Sequence, residues 1–330
     1  HLTMSGTNDE AVRERQLSFT FDEAKGVIRQ HLSEQLAHGV VMVRDGGDAA
    51  AHALRFKDEG LAPLELPISF KASGKAWRAK GRYGRLIGRP PAEGKTLAQA
   101  LTEKGRAADH VKLVNAGLNR QKEFGKETAP QFSEEELGAA LQAARRLGLK
   151  TMVHANGRIP VRDAVNGGCT SIEHGFFMGR ENIERMAELQ VTWVPTAVTM
   201  KAYSEQLPRG SSEADMAARI FDHQLEQIAV ARRWGVPMAV GTDSGSLGVN
   251  HGLALIEELK SFMACGFSLE EAVGCSSLEG ARLLGVKGEM GQLKKGMDAT
   301  FVAVEGNPSM LPDALKGPVQ VFVQGKPARA

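Results

Sequence analysis

Short apolar runs alternate with longer amphipathic stretches along most of the chain. After a charged, helix-compatible stretch at 8–38, the run Gly39–Asp45 reads as a buried strand ending in a glycine turn. Pro67–Lys71 reads as a second, and His110–Gly117 as a third with a glycine exit. Residues 74–94, rich in Gly and Arg and containing Pro90-Pro91, read as a long loop. Thr96–Arg106 reads as a helix. The alternation then becomes regular. Ser133 caps a helix with three acids in its first turn, and Gly148 closes it. Thr151–His154 is a strand, Arg158–Asn166 a helix, Cys169–Gly175 a strand, Glu181–Leu189 a helix and Val191–Pro195 a strand. A long helix covers 211–234, Pro237–Asp243 is a strand, and helices follow at 251–264 and 269–284.

Seven strand candidates, most of them followed by a helix, imply right-handed crossovers and a parallel sheet. The count fits an α/β fold of the (β/α)8 TIM-like barrel type better than an open sheet. The tail differs. Gly291–Gly296, Ala299–Val304 and Gln320–Gly325 read as short strands without long helices between them, a partial β-sandwich appendage. The boundary falls near 285, giving a barrel over 1–285 and a sandwich remnant over 286–330.

Composition narrows the function. Of 330 residues, 42% are hydrophobic and 24% charged, which rules out wholesale disorder. The net charge of +2 gives no reason to expect nucleic acid or an anionic membrane as partner, and 5% aromatics argues against a stacking platform for single strands. Cys169, Cys265 and Cys275 are too few and too widely spaced for a disulfide framework or a paired-cysteine zinc site, so they read as small buried residues in a reducing, cytoplasmic setting. No apolar run reaches membrane-spanning length. His1–Gly6 lacks the basic start and apolar stretch of a signal peptide, and the absence of an initial Met suggests a processed chain or a fragment. Neither a Gly-x-Gly-x-x-Gly turn after a strand nor a Gly-x-Ser-x-Gly elbow occurs, which disfavours dinucleotide binding and serine hydrolysis.

In a parallel barrel the chemistry lies at the C-terminal strand ends. His154, His174 and Asp243 each end a strand, and Lys112 lies within another. Taken singly, each has a plainer account: a hydrogen-bonded core histidine, a capping aspartate, a strand-end surface lysine. Together, on four strands and at the same end, they point to a divalent metal site. An Asp beside metal-bound water is placed to act as general base. The loop Arg82-Tyr83-Gly84-Arg85-Leu86 suggests recognition of a substrate carboxylate by guanidinium, with Tyr83 and Arg85 as the binding candidates; a solvated charged loop is the alternative. Asn115 and Asn156 read as turn residues or substrate contacts, and His251 as a helix-start or pocket residue. His31, His38, His52 and His223 read as surface residues.

Thr151–Ala155, Ser171–Gly175 and Val240–Asp243 resemble strands 5, 6 and 8 of the amidohydrolase superfamily. His110–Val114 is similar to strand 4 of its prolidase-like and imidazolonepropionase-like branch. Gly291–Leu293, Gly296–Ala299 and Gly306-Asn307-Pro308 resemble the return to that family's β-sandwich. The resemblance implies a mono- or binuclear zinc centre, the two ions of the binuclear form being bridged by Lys112 carboxylated on its side-chain nitrogen. His154 and His174 would hold one ion and Asp243 the other. His1 matches the second histidine of the family's His-x-His motif at strand 1, the first histidine and most of that strand being absent from the sequence; a cloning remnant is the rival account of His1. A barrel without that strand exposes two edges, which favours a homo-oligomer.

The expectation is a metal-dependent hydrolase in which Asp243 shuttles the proton. It would cleave the amide bond of a small dipeptide or N-acyl amino acid with a free carboxylate. The alternatives are a cyclic amidohydrolase or deaminase, and a truncated non-catalytic barrel.

Overall fold

The computed structural model describes residues 1–59, 66–118, 123–286, 288–317 and 319–328. Its strands build one curved parallel wall. β1 (Met42–Asp45) pairs in parallel with β2 (Ser69–Ala72). Two-residue strands follow, β3 (Ala76–Trp77) and β4 (Gly88–Arg89), then β5 (His110–Val114), β6 (Lys150–Ala155), β7 (Ser171–His174) and β8 (Thr192–Val194). These six form a parallel sheet in the order β4-β3-β5-β6-β7-β8. β2 joins it where the Asp109 amide donates to the Ala72 carbonyl at 3.0 Å and Asp109 Oδ2 accepts from the Ala72 amide at 2.8 Å. Beyond β8, Met238 adds a single parallel rung to Trp193. The result is a TIM-type barrel with helices outside.

Sequence explains why these segments are strands. β5 and β7 are buried along their whole length, as parallel strands covered on both faces must be. The helices pack their apolar stripes on this wall. α1 spans Glu10–Leu17, α2 Phe21–Ala37, α3 His52–Asp58, α4 Leu97–Lys104, α5 Glu134–Arg146, α6 Arg158–Asn166 and α7 Arg180–Leu189. After these come α8 (Val198–Gln206), α9 (Ser212–Trp234), α10 (Leu253–Ala264), α11 (Leu269–Ser276) and α12 (Leu278–Leu284). Leu113, Leu137, Ile172, Trp193 and Phe262 are fully buried in the main core. A second cluster, with Ile28, Leu32, Phe56 and Phe70, packs α2 and α3 onto β2. At the other end β9 (Phe301–Val304), β10 (Val319–Val323) and β11 (Lys326–Ala328) form an antiparallel sheet with β10 central. No described helix is long and apolar enough to cross a membrane.

Several expectations change. Pro237–Asp243 forms no ladder: the Ala239 amide bonds the Trp193 carbonyl on one side, while the Val240 amide turns to the Cys275 carbonyl on the other. The single helix expected over 269–284 is two, Leu269–Ser276 and Leu278–Leu284, with Ser277 between them. Gly291–Gly296 is irregular, with φ near +99° and +92° at its terminal glycines, values that belong to turns. α3, α8 and β11 were not foreseen, nor were β3 and β4, which lie within the stretch 74–94 expected to be a loop. His31 is buried, not a surface residue, because its ring stacks 4.0 Å from that of His251 and its Nδ1 lies 2.8 Å from the Leu2 carbonyl.

Candidate active site

The strand register sets the site. Lys112 pairs with Met152, Val114 with His154, and Ala155 with His174, so the two histidines lie at the C-terminal rim of adjacent strands. Their ring centroids are 4.6 Å apart at 70°. His174 and Asp243 end their segments with φ of +70° and +55°, the left-handed turn that releases the chain from the wall. His1, Tyr83, Lys112, His154, His174 and Asp243 all line one cavity of about 1210 Å³.

Hydrogen bonds fix each ring. His1 Nδ1 lies 2.7 Å from the Gly47 carbonyl, which leaves Nε2 facing Asp243 Oδ1 at 3.5 Å. His154 Nε2 lies 3.3 Å from the Gly117 carbonyl, leaving Nδ1 free. His174 Nδ1 lies 2.7 Å from Thr196 Oγ1, leaving Nε2 free. Burial lowers the pKa of both His154 and His174, and the neighbouring His174 adds to the effect at His154, so both imidazoles are neutral at neutral pH.

Lys112 is the unusual member. It is 4% exposed, and among the described residues no hydrogen bond or ion pair reaches its Nζ. Burial pushes its pKa down, Arg44 adds to this, and Glu173, Asp243 and Asp45 oppose it. On the same inner wall Arg44 Nη2 donates to Glu173 Oε1 at 2.7 Å and to Ser171 Oγ at 3.0 Å. Asp45 accepts from the Leu2 and Gly47 amides, both at 2.7 Å, which ties the segment after His1 to the end of β1.

The donors therefore fall into two pairs, His1 with Asp243 and His154 with His174, and Lys112 lines the cavity with them. Among the described residues no three His, Cys, Asp or Glu side chains form a group that could hold an ion. Free imidazole nitrogens whose partner nitrogens are held by carbonyl or hydroxyl, beside an unpartnered buried amine, fit a divalent cation in chemistry.

The expected rim residues separate. Tyr83 lines the mouth of the cavity, 39% exposed, with its ring 5.5 Å from His154; partial desolvation and the Asp243 charge raise its phenol pKa. Arg85 is exposed and does not line the cavity. The neighbouring Arg82 is spent on the Ala129 carbonyl at 2.9 Å, so this loop presents a phenol and no guanidinium to the site. Asn115 and Asn156 are buried tethers: Asn115 donates to the Pro160 carbonyl, and Asn156 accepts from the Phe176 amide. Sequence reasoning missed Thr196, Arg44 and Glu173. The first left a signal, since it follows Pro195 at the end of a strand, the same place as His174 on its own strand.

A sequence model of the amidohydrolase family matches residues 1–328. The chain belongs to that family. An uncharacterized protein of Mycobacterium tuberculosis is 28% identical over 234 residues, 70% of this chain and 61% of that protein. Ochratoxinase of Aspergillus niger is 26% identical over 206 residues, covering 62% of this chain and 42% of that enzyme. Imidazolonepropionase of Syntrophobacter fumaroxidans is 28% identical over 215 residues, 60% of this chain and 44% of that enzyme. The chain thus spans less than two thirds of the length of these curated relatives. Among solved structures, a Xaa-Pro dipeptidase with bound methionine superposes with a TM-score of 0.80 at 24% identity, covering 99% of this amidohydrolase chain and 84% of the other. A prolidase complexed with N-methylphosphonate-L-proline gives 0.78 at 22% identity, covering 99% and 84%. These likenesses establish the barrel fold of the amidohydrolase.

Proposed function

We propose that this amidohydrolase is a metal-dependent enzyme that hydrolyses the amide bond of a dipeptide or N-acyl amino acid. The observation that carries the reading is Lys112, a buried amine without a partner among the described residues, on the cavity wall that also holds His1, His154, His174 and Asp243. Burial lowers the pKa of Lys112, and the neutral amine that this favours can add carbon dioxide and become a carboxylate-like ligand. His154 Nδ1 and His174 Nε2 would hold one zinc ion, His1 Nε2 and Asp243 the other, and carboxylated Lys112 would bridge them. A divalent ion held by these residues would supply an acidified water and a polarised carbonyl. Asp243 takes the proton of the attacking water and delivers it to the leaving nitrogen. Tyr83 packs beside His154 and orients the substrate at the mouth.

The neighbours support the substrate class. The dipeptidase holds methionine and the prolidase holds a proline phosphonate, both of which carry an amino-acid carboxylate. The imidazolonepropionase relative favours a cyclic amide as the second reading. Elemental analysis of the purified protein, with a panel of Xaa-Pro dipeptides, N-acyl amino acids and cyclic amides, tests both. The expected result is bound zinc and turnover of an acyclic amide, both lost in Lys112→Ala and partly restored to it by acetate. Turnover of cyclic amides alone would select the second reading. A chain that takes up no metal and cleaves nothing would be a non-catalytic barrel.

A further inference from the structure

The residue that holds His174 in place is itself held under constraint. Thr196 follows β8, is 3% exposed, and adopts φ of +48°, a conformation β-branched residues seldom take. Its hydroxyl lies 2.7 Å from His174 Nδ1. The chain on either side is pinned. The amides of Ala197 and Val198 donate to the two carboxylate oxygens of Glu258 at 3.0 and 2.7 Å. Glu258 is a fully buried residue of α10, and it supplies the cap that the start of α8 lacks from its own sequence. Thr199 Oγ1 donates to the Thr196 carbonyl at 2.8 Å. On the other side Gln224 Nε2, from α9, donates to the Pro195 carbonyl at 3.1 Å and to the His174 carbonyl at 2.6 Å, while Trp193 Nε1 donates to that same His174 carbonyl at 3.0 Å. One amide nitrogen thus fastens the ends of β7 and β8 together.

We propose that Thr196 is a positioning residue for the candidate centre. Its hydroxyl accepts from His174 Nδ1–H and so selects the tautomer whose Nε2 lone pair faces the cavity, while Glu258 and Gln224 keep Thr196 in its strained turn. The idea rests on the reading of His174 as a metal ligand, yet it makes a claim about the metal-free protein that can be read without any ion. A neutral histidine's tautomer is set by the bond its other nitrogen makes, and ligand orientation by such partners is commonly worth about 10- to 100-fold in metal affinity.

The test is the nitrogen-15 spectrum of His174 in metal-free protein, assigned with His174→Gln, for wild type, Thr196→Val and Thr196→Ser. The expected result is a predominant Nδ1–H tautomer in wild type and Thr196→Ser, and a mixture in Thr196→Val. Valine keeps the shape and the β-branching and removes only the hydroxyl. In parallel, competition with a chromophoric chelator should show zinc binding weakened about 10- to 100-fold in Thr196→Val and retained in Thr196→Ser. A wild-type His174 carrying its proton on Nε2 would overturn the proposal without any variant having to fold. An unchanged tautomer in Thr196→Val would overturn it as well. If the tautomer shifts as expected while wild type binds no zinc, the metal reading falls and the positioning role of Thr196 stands.

Discussion

Arg44 and Glu173 form an ion pair inside the barrel, 2.7 Å from Nη2 to Oε1, with side chains 12% and 3% exposed. Ser171 Oγ donates to the same carboxylate oxygen at 2.5 Å. A pair so enclosed is costly to break from one side, because the survivor keeps its charge without water. Arg44→Met should destabilise the fold by about 3–5 kcal/mol, and adding Glu173→Gln should recover much of the loss. Denaturant titrations of the two variants check both expectations. A single variant as stable as wild type would mean that the pair contributes little to the stability of the fold.

Glu258 makes stability depend on pH in an uncommon direction. Burial lifts its pKa from 4.5 to about 7, against the pull of the Val198 and Ala197 amides. Between those values the folded protein keeps a proton that the unfolded chain has released, so this group's contribution to stability falls as pH rises from 4.5 to about 7. Thermal midpoints across that window should show the slope in wild type and lose it in Glu258→Gln.

His251 works the other way. Burial lowers its pKa from 6.5 to about 3, and the stacked His31 adds to this. The unfolded chain binds the proton first, so stability from this group is present above 6.5 and is lost as pH falls toward 3. His251→Gln should flatten the acid limb of the stability profile while leaving the Glu258 limb in place. Acid unfolding that is indifferent to this substitution would remove His251 from the account.

The mouth offers a paired test. Arg85 is exposed and off the cavity wall, so Arg85→Ala should leave KM within about twofold, the usual reach of a surface change. Tyr83 lies on the wall beside His154, and Tyr83→Ala should raise KM about tenfold, which corresponds to about 1.4 kcal/mol of binding, with metal content unchanged. Steady-state kinetics on the best amide from the panel separates the two.

Much of this was legible in the chain. The buried runs that become β5, β6 and β7 announce themselves, and His154 and His174 can be placed at their ends by counting. What was hidden was hidden for physical reasons. α8 begins without a capping side chain of its own, because its cap is Glu258, some sixty residues away on α10. Pro237–Asp243 reads as a strand from its apolar run, but its backbone finds only one rung on Trp193. Arg85 carried the right charge for a carboxylate in a loop whose path the sequence does not fix. The ring of bonds around Thr196 joins residues from α9, α10 and two strands, and no local pattern encodes such a meeting.

Gly175 follows His174 with φ of +64°, and a side-chain carbon built there would come within 2.7 Å of Trp193 Nε1, the donor that holds the His174 carbonyl. Any larger residue would dislodge the indole and loosen the histidine with it. Descendants of this protein that acquire new substrates must therefore do so by changes elsewhere, on the cavity wall. At position 175 their inheritance is fixed.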